Sequence, residues 1–173
     1  MSSLDSYRIL NSESDWPFFD PTFLVDPQVR QFVRPLTKTA SAAFWNNHIS
    51  SNPRERHPML LPPEHWMRPT LVGPNWIAEF SAQSEDATIE HGAVSHFLQT
   101  CFNLGKCEEV FFIAMRERCY SIPIGVFLRC WPCFLANDDE GSFLFHPHYR
   151  TFACFGPNGS LSFGHQDITP ETK

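Results

Sequence analysis

Two cysteines separated by a Trp-Pro pair, Cys130 and Cys133, form the motif whose chemistry is easiest to name. The pattern Cys-x-Pro-Cys is typical of thiol oxidoreductases, in which the first thiol lies at a helix N-terminus that lowers its pKa. In this sequence about two turns of predicted helix precede Cys130, so no free backbone N–H groups are at hand to stabilise its thiolate. We therefore predict two packed thiols rather than a redox pair. They also fall short of a closed zinc site, which needs four ligands.

A second group combines imidazoles and carboxylates. His146 and His148 flank a proline, and Asp138 and Asp139 precede them in the chain. Such side chains together can hold a divalent metal, which would activate water for a metal-dependent hydrolase. The competing interpretation is a polar turn with surface histidines. Pro147 favours a turn over the regular strand that best supports alternating ligands.

The negative charge of the chain indicates a third kind of surface. There are 19 acidic against 13 basic side chains, which gives a net charge of −6. Short acidic clusters occur at Glu108 and Glu109 and at Asp138, Asp139 and Glu140. They are candidate contacts for one basic protein partner, although solvated loops and helix ends are the ordinary explanation of such clusters. The same net charge argues against a protein that binds nucleic acid or an anionic membrane.

The short signatures of common enzymes do not occur in this sequence. It contains no G-x-S-x-G, no G-x-G-x-x-G and no H-E-x-x-H pattern. We predict no cofactor and favour a non-enzymatic protein-binding module of the immunity or regulator type, because small acidic α+β proteins often neutralise other proteins. The metal-dependent hydrolase is the alternative. The identity of the partner and the oligomeric state stay open.

The elements that must position these groups are expected to form one α+β domain over residues 1–173. Hydrophobic residues make up 42% and charged residues 18% of the chain, which excludes wholesale disorder. Residues 1–74 are rich in proline and should form a wrapping segment of short helices and extended pieces, with helices after Asp26-Pro27 and over 38–50. Residues 75–166 should form the sheet, and residues 167–173 should form a tail.

Apolar periodicity predicts the helices and strands of the second part. Residues 87–103 and 123–136 have apolar side chains at helical spacing, and residues 110–115 form a continuous apolar run typical of a buried strand. A hairpin is expected over residues 151–163, with its turn at Gly-Pro-Asn-Gly. We predict a mixed, largely antiparallel sheet of about five strands, with helices packed on one face.

The expected location is the cytoplasm. Residues 1–10 lack a basic region followed by an apolar block, so we predict no signal peptide. The apolar run at residues 110–115 is far shorter than the roughly 20 residues that span a bilayer. In a reducing compartment the six cysteines are expected to stay free thiols.

Aromatic and turn residues recur in a recognisable order along most of the chain. They include Phe44-Trp45-Asn46-Asn47, Gly125-Val126-Phe127-Leu128-Arg129, Asp138-Asp139-Glu140-Gly141 and Phe155-Gly156-Pro157-Asn158-Gly159. Over residues 30–166 the sequence resembles a family of small bacterial cytoplasmic proteins known only as a domain of unknown function. The resemblance implies an α+β fold and no particular activity. It also implies that Cys130 and Cys133 are incidental, because the family is more usually polar at those positions.

Overall fold

A seven-stranded sheet forms the centre of the protein. The computed structural model describes residues 6–72, 78–79, 87–102, 105, 108–136, 141–156 and 160–166. The strands are β1 (Arg34–Pro35), β2 (Ala78–Glu79), β3 (Glu109–Met115), β4 (Arg118–Pro123), β5 (Phe143–His146), β6 (Thr151–Gly156) and β7 (Ser160–His165). Their order across the sheet is β1-β4-β3-β5-β6-β7-β2, and every neighbouring pair is antiparallel.

The α+β class is confirmed, but the described strands are more numerous than predicted and their pairings are not mixed. The difference arises mainly at β4. The sequence pattern predicts no strand directly after residues 110–115, whereas residues 116 and 117 form a tight turn that returns the chain alongside β3. An immediate hairpin makes the pair antiparallel. The predicted hairpin of β6 and β7 is confirmed, with the register Phe155 to Leu161.

Five α-helices lie within the described residues and accompany the sheet. They are α1 (Pro27–Arg30), α2 (Lys38–His48), α3 (Arg68–Val72), α4 (Ala87–Phe102) and α5 (Ile124–Leu135). The first two begin at caps that the sequence indicates. The Asp26 carboxylate accepts a hydrogen bond from Gln28 N at 2.7 Å, and the Thr37 hydroxyl accepts one from Ala40 N at 3.3 Å. Such caps satisfy backbone N–H groups that have no partner inside the helix.

Helices cover both faces of the sheet, and not one face as predicted. On the first face, α4 and α5 pack on strand residues that include Phe112 and Leu144. On the second face, α2 and α3 pack on residues that include Ile113 and Phe143. Successive strand residues point to opposite faces, so the continuous apolar run in β3 reflects burial on both sides, as the sequence indicated.

The proline-rich part of the chain packs on this protein's own sheet. Phe18 belongs to the core of the first face, and Trp45 belongs to the core of the second. A backbone bridge between Tyr7 and Leu36 holds the start of the described chain beside β1. Within the described residues, no helix combines the length and apolarity that crossing a bilayer requires.

Gly164 in β7 is a position where the packing leaves no space for a side chain. A Cβ there would lie 2.5 Å from Phe152 Cζ and 2.6 Å from Thr70 Oγ1. We expect Gly164→Ala to lower the free energy of unfolding by about 1–3 kcal/mol, because α3 or the aromatic ring must move away. Urea denaturation measures this change.

The matched control is Gly92→Ala in α4, where the added Cβ points into open space, away from the rest of the protein. There we expect a gain of about 0.5–1 kcal/mol, because alanine restricts the unfolded chain and favours the helix. A Gly164→Ala protein as stable as the wild type would contradict the close approach of α3 to β7.

Candidate functional site

Cys130 and Cys133 lie within α5, at the point where this helix kinks. Cys130 has non-helical backbone angles (φ −139°, ψ 19°), and Pro132 lies inside the helix. The Cys130 thiol is buried and donates a hydrogen bond to Val126 O at 3.3 Å. Burial raises the pKa of Cys130 above its ordinary value, and burial also raises the pKa of Cys133 to about 12. The two sulfurs therefore have the surroundings of packing residues.

We expect neither thiol to react readily in the folded protein. A thiol with a raised pKa carries almost no thiolate at neutral pH, and the thiolate is the nucleophile. Iodoacetamide at pH 7.5 should alkylate Cys130 and Cys133 far more slowly than the same cysteines in urea-unfolded protein, as mass spectrometry of peptides would show. Alkylation of Cys130 at the rate of a free cysteine would instead support the redox hypothesis.

His146 ends β5, and His148 lies in the turn that follows. Their ring centroids are 6.4 Å apart. The His146 Nδ1 accepts a hydrogen bond from Tyr149 N at 3.2 Å, and its Nε2 lies 3.6 Å from a carboxylate oxygen of Glu108. Burial lowers the pKa of His146, and the Glu108 carboxylate only partly opposes this shift. Both ring nitrogens of His146 thus already have neighbours within the protein.

The other two predicted metal ligands, Asp138 and Asp139, lie outside the described residues. Within the parts of the chain that the structure describes, no group of three or more His, Cys, Asp or Glu side chains could hold a metal ion. The metal-dependent hydrolase stays a prediction. It requires stoichiometric metal in the purified protein and loss of that metal on substitution His146→Ala.

The two acidic residues at the start of β3 make contacts within the protein. Glu109 forms an ion pair with Arg34 and accepts a hydrogen bond from the Ser121 hydroxyl. Glu108 accepts a hydrogen bond from Gly105 N at 2.9 Å. The second acidic cluster, Asp138, Asp139 and Glu140, lies outside the described residues. The proposed role of both clusters in partner binding stays a prediction.

A groove of about 830 Å³, here called the N-terminal groove, lies between the N-terminal segment (residues 8–16) and the turn that joins β3 to β4. Its apolar lining consists of Ile9, Trp16, Leu36 and Met115, and its charged lining consists of Arg8, Glu13, Lys38, Glu117 and Arg118. The exposed fractions are 90% for Ile9, 43% for Trp16 and 39% for Met115. Apolar side chains are thus presented to solvent around a concave surface.

A buried ion pair fixes the floor of the N-terminal groove. The Asp15 side chain is fully buried, and Arg8 donates to its two oxygens at 2.5 and 2.8 Å. Asn11 N donates to the same carboxylate at 2.8 Å, and the Tyr120 hydroxyl donates at 2.7 Å. These contacts tie the N-terminal segment to β4, because Tyr120 belongs to that strand.

Arg118 extends the same network to the edge of the groove. Its Nη2 donates to Ser14 O at 2.7 Å, and its Nε donates to the Tyr120 hydroxyl at 3.2 Å. Burial, reinforced by the Asp15 carboxylate, raises the pKa of Tyr120 to about 12. The phenol is therefore a hydrogen-bond donor at all physiological pH values. A hydrogen-bonded network of this kind holds in place the backbone that forms the groove.

Sequence patterns did not indicate the N-terminal groove. Asp15 precedes a Trp-Pro pair, which suggests a helix cap, and the structure does place it at the start of a short 3₁₀ helix, Trp16–Phe18. However, its side chain makes no capping hydrogen bond and pairs with Arg8 instead. The one signal in the sequence is the concentration of large apolar residues in a segment that has no apolar periodicity.

Comparison with known protein families gives a match over nearly the whole chain. A family described as "Protein of unknown function (DUF2947)" matches residues 2–164. No curated protein and no solved structure matches the chain. The matched range includes the N-terminal groove as well as the sheet, and it extends the resemblance seen in the sequence toward the N-terminus.

Proposed function

Because the chain belongs to the DUF2947 family, whose function is unknown, we propose a role from its surface: a non-enzymatic protein-binding module, of the immunity or regulator type. The observation that carries this proposal is the N-terminal groove, in which Ile9, Trp16 and Met115 present apolar surface to solvent above a buried ion pair. The setting we propose is the bacterial cytoplasm, where free thiols persist.

Several properties of the groove are those of a binding surface. A tryptophan at the edge of a concave apolar surface is a frequent centre of binding energy in protein interfaces. The backbone beneath it is held by hydrogen bonds to Asp15 and Ser14. A rigid surface loses little conformational freedom when a partner binds, so more of the contact energy appears as affinity.

The partner we propose is a basic protein that inserts an apolar or aromatic side chain into the groove. Glu13 and Glu117 are exposed at its edge, and the whole chain has a net charge of −6. The basic residues of the lining, Arg8, Lys38 and Arg118, are matched in number by Glu13, Glu117 and the buried Asp15 that pairs with Arg8. The net negative charge of the whole chain would therefore attract a basic partner and increase its rate of association.

The two acidic clusters of the sequence would contribute unequally to the attraction of this basic partner. Glu109 is neutralised by Arg34, so it offers less charge than the sequence suggests. Asp138, Asp139 and Glu140 would add to the attraction if they face the same partner. Their contribution is measured separately, by replacing all three with the corresponding amides.

The test immobilises the wild type, two groove variants and one control variant, and compares the proteins that each captures from a lysate of the native host. Trp16→Ala and Ile9→Ser alter the N-terminal groove, and Leu60→Ser removes an exposed apolar side chain, intermediate in exposure between those two, that does not line it. We expect one stoichiometric partner whose capture falls about tenfold or more in the groove variants and is unchanged in Leu60→Ser. Association with the purified partner should slow as salt increases.

Two outcomes would contradict the proposal. One is a partner captured equally by the wild type and by both groove variants. The other is a lysate in which no protein is enriched over a column carrying Trp16→Ala. Circular dichroism of each variant at the working temperature shows that the loss of capture does not arise from unfolding.

A further inference from the structure

A second concave site lies at the C-terminal end of α2, the helix that packs on the second face of the sheet. This polar pocket has a volume of about 420 Å³, within the range of small-molecule sites. Its principal residues are Asn46, Asn47, His48, Trp66, Arg150 and Gln166. None of them takes part in the N-terminal groove, so the two sites can be tested independently.

Arg150 is held in the pocket at a cost in backbone strain. Its φ is +51°, in the left-handed region that residues other than glycine and asparagine rarely adopt. Gln166 holds this residue twice: its N donates to Arg150 O at 2.9 Å, and its Oε1 accepts from the guanidinium at 3.3 Å. Strained residues that the surrounding structure holds in place occur preferentially at functional sites.

Arg150, which is exposed, and His48 have donors without a partner in the described part of the chain. A guanidinium carries five N–H donors, and the Gln166 oxygen receives one of those of Arg150. The rings of Phe44 and Phe145 flank the His48 imidazole at 4.5 and 5.8 Å, but its ring nitrogens make no hydrogen bond with the described residues. Donors grouped in this way favour a ligand that carries oxygen acceptors.

The aromatic wall of the pocket is fixed. Trp66 lies 5.5 Å from the ring of His65 and packs edge-on against Phe152 at 5.1 Å. His65 is itself held at both nitrogens, because Nε2 meets Ile49 O at 3.0 Å and Nδ1 accepts from Met67 N at 3.2 Å. Trp66 can therefore serve as a preformed surface for an apolar or planar part of a ligand.

The charge of the pocket also favours an anion. Among the described residues of the lining, Arg150 is permanently charged, and His48 and His65 are the other titratable groups. Glu55 is not part of the lining but accepts a hydrogen bond from the hydroxyl of the lining residue Ser50. The C-terminal end of α2 carries the negative end of the helix dipole, and this is partly offset because Trp45 O accepts from two backbone N–H groups and Ile49 O contacts His65 Nε2.

We propose that this pocket binds a small organic anion, with its carboxylate or phosphate on Arg150 and His48 and its planar part on Trp66. The shared chemistry is an oxyanion. An oxyanion on Arg150 would offset the guanidinium charge that His48 experiences. Burial and that charge lower the pKa of His48 in the free protein, so a bound anion should move it back up.

The experiment follows the His48 imidazole by NMR as a function of pH, with and without four probes: acetate, benzoate, inorganic phosphate and phenyl phosphate. Acetate and phosphate identify the preferred head group, and the aromatic member of each pair reports the contact with Trp66. We expect the preferred head group to raise the His48 pKa by about 0.5 or more. Its aromatic form should bind about 3- to 10-fold more tightly.

Arg150→Gly is the decisive variant, because glycine adopts the left-handed backbone without strain and should fold at least as stably. It should raise the His48 pKa in the free protein and abolish the effect of every probe. Trp66→Leu should remove the preference for the aromatic probes and keep the response to the head group. The proposal is overturned if no probe moves His48 in the wild type, or if Arg150→Gly responds as the wild type does.

Discussion

Substitution of Asp15 by alanine is expected to lower the free energy of unfolding by about 3 kcal/mol. Asp15 is fully buried and accepts hydrogen bonds from Arg8, Asn11 N and Tyr120. Its removal leaves the buried Tyr120 hydroxyl without this acceptor and leaves Arg8 without its counter-ion. Arg8 is one-third exposed and can regain water, which keeps the effect at the lower end of the range for buried pairs.

Urea unfolding followed by tryptophan fluorescence measures this loss. Glu13→Ala is the matched control, since it removes an exposed carboxylate two residues away and should change stability by less than about 0.5 kcal/mol. Tyr120→Phe combined with Asp15→Ala should cost less than the sum of the single changes, because each removes the same hydrogen bond. An Asp15→Ala protein within about 1 kcal/mol of the wild type would contradict the buried network.

The same carboxylate predicts a dependence of stability on acid. Burial alone would raise the pKa of Asp15, but hydrogen bonds from Arg8, Asn11 N and Tyr120 outweigh it and place the pKa below its ordinary value. A lowered pKa contributes stability that is present above the unfolded value of about 3.9 and is lost as the pH falls through the folded value. Asp15→Asn should therefore lose less stability than the wild type below about pH 4.

The parts of the fold that follow from local pattern could be predicted from the sequence. Apolar spacing located α4 and α5, the Asp-Pro and Thr caps located the starts of α1 and α2, and Gly-Pro-Asn-Gly located the hairpin of β6 and β7. In each case neighbours within a few residues determine the backbone. The buried strand β3 was also predictable, because burial on both faces leaves no polar alternation.

What could not be predicted depends on contacts between distant parts of the chain. Asp15 and Tyr120 are 105 residues apart, and nothing near either residue indicates the other. The proximity of Arg150 and Gln166, by contrast, follows from the predicted hairpin of β6 and β7, whereas the positive φ of Arg150 does not. Charge counts overestimated Glu109 as a free acidic group, because its partner Arg34 lies on β1 at the sheet edge. The contacts that define the candidate sites therefore form only when the folded sheet brings distant residues together.

Substitution of Phe134 by alanine is expected to lower the free energy of unfolding by about 3–5 kcal/mol. Its ring lies 4.9 Å from those of Phe18 and Phe112, 5.1 Å from Phe127 and 5.5 Å from Tyr120. Removing it leaves a cavity at the junction of α5, the sheet and the N-terminal segment. The edge-on contacts contribute beyond the burial of apolar area, by about 0.5–1.5 kcal/mol per aromatic pair. Urea denaturation monitored by circular dichroism measures the change.

This substitution also connects the core to the N-terminal groove. Phe18 follows Trp16 by two residues and packs edge-on against Phe134, so the cavity should loosen the segment that forms the groove. Hydrogen exchange over residues 9–19 is expected to accelerate more than exchange in β6, which lies farther along the sheet. Phe32→Ala removes a ring that is already 46% exposed and should cost about 1 kcal/mol or less. If Phe134→Ala leaves exchange over residues 9–19 unchanged, the groove is held by the Asp15 network alone, and α5 has no part in positioning it.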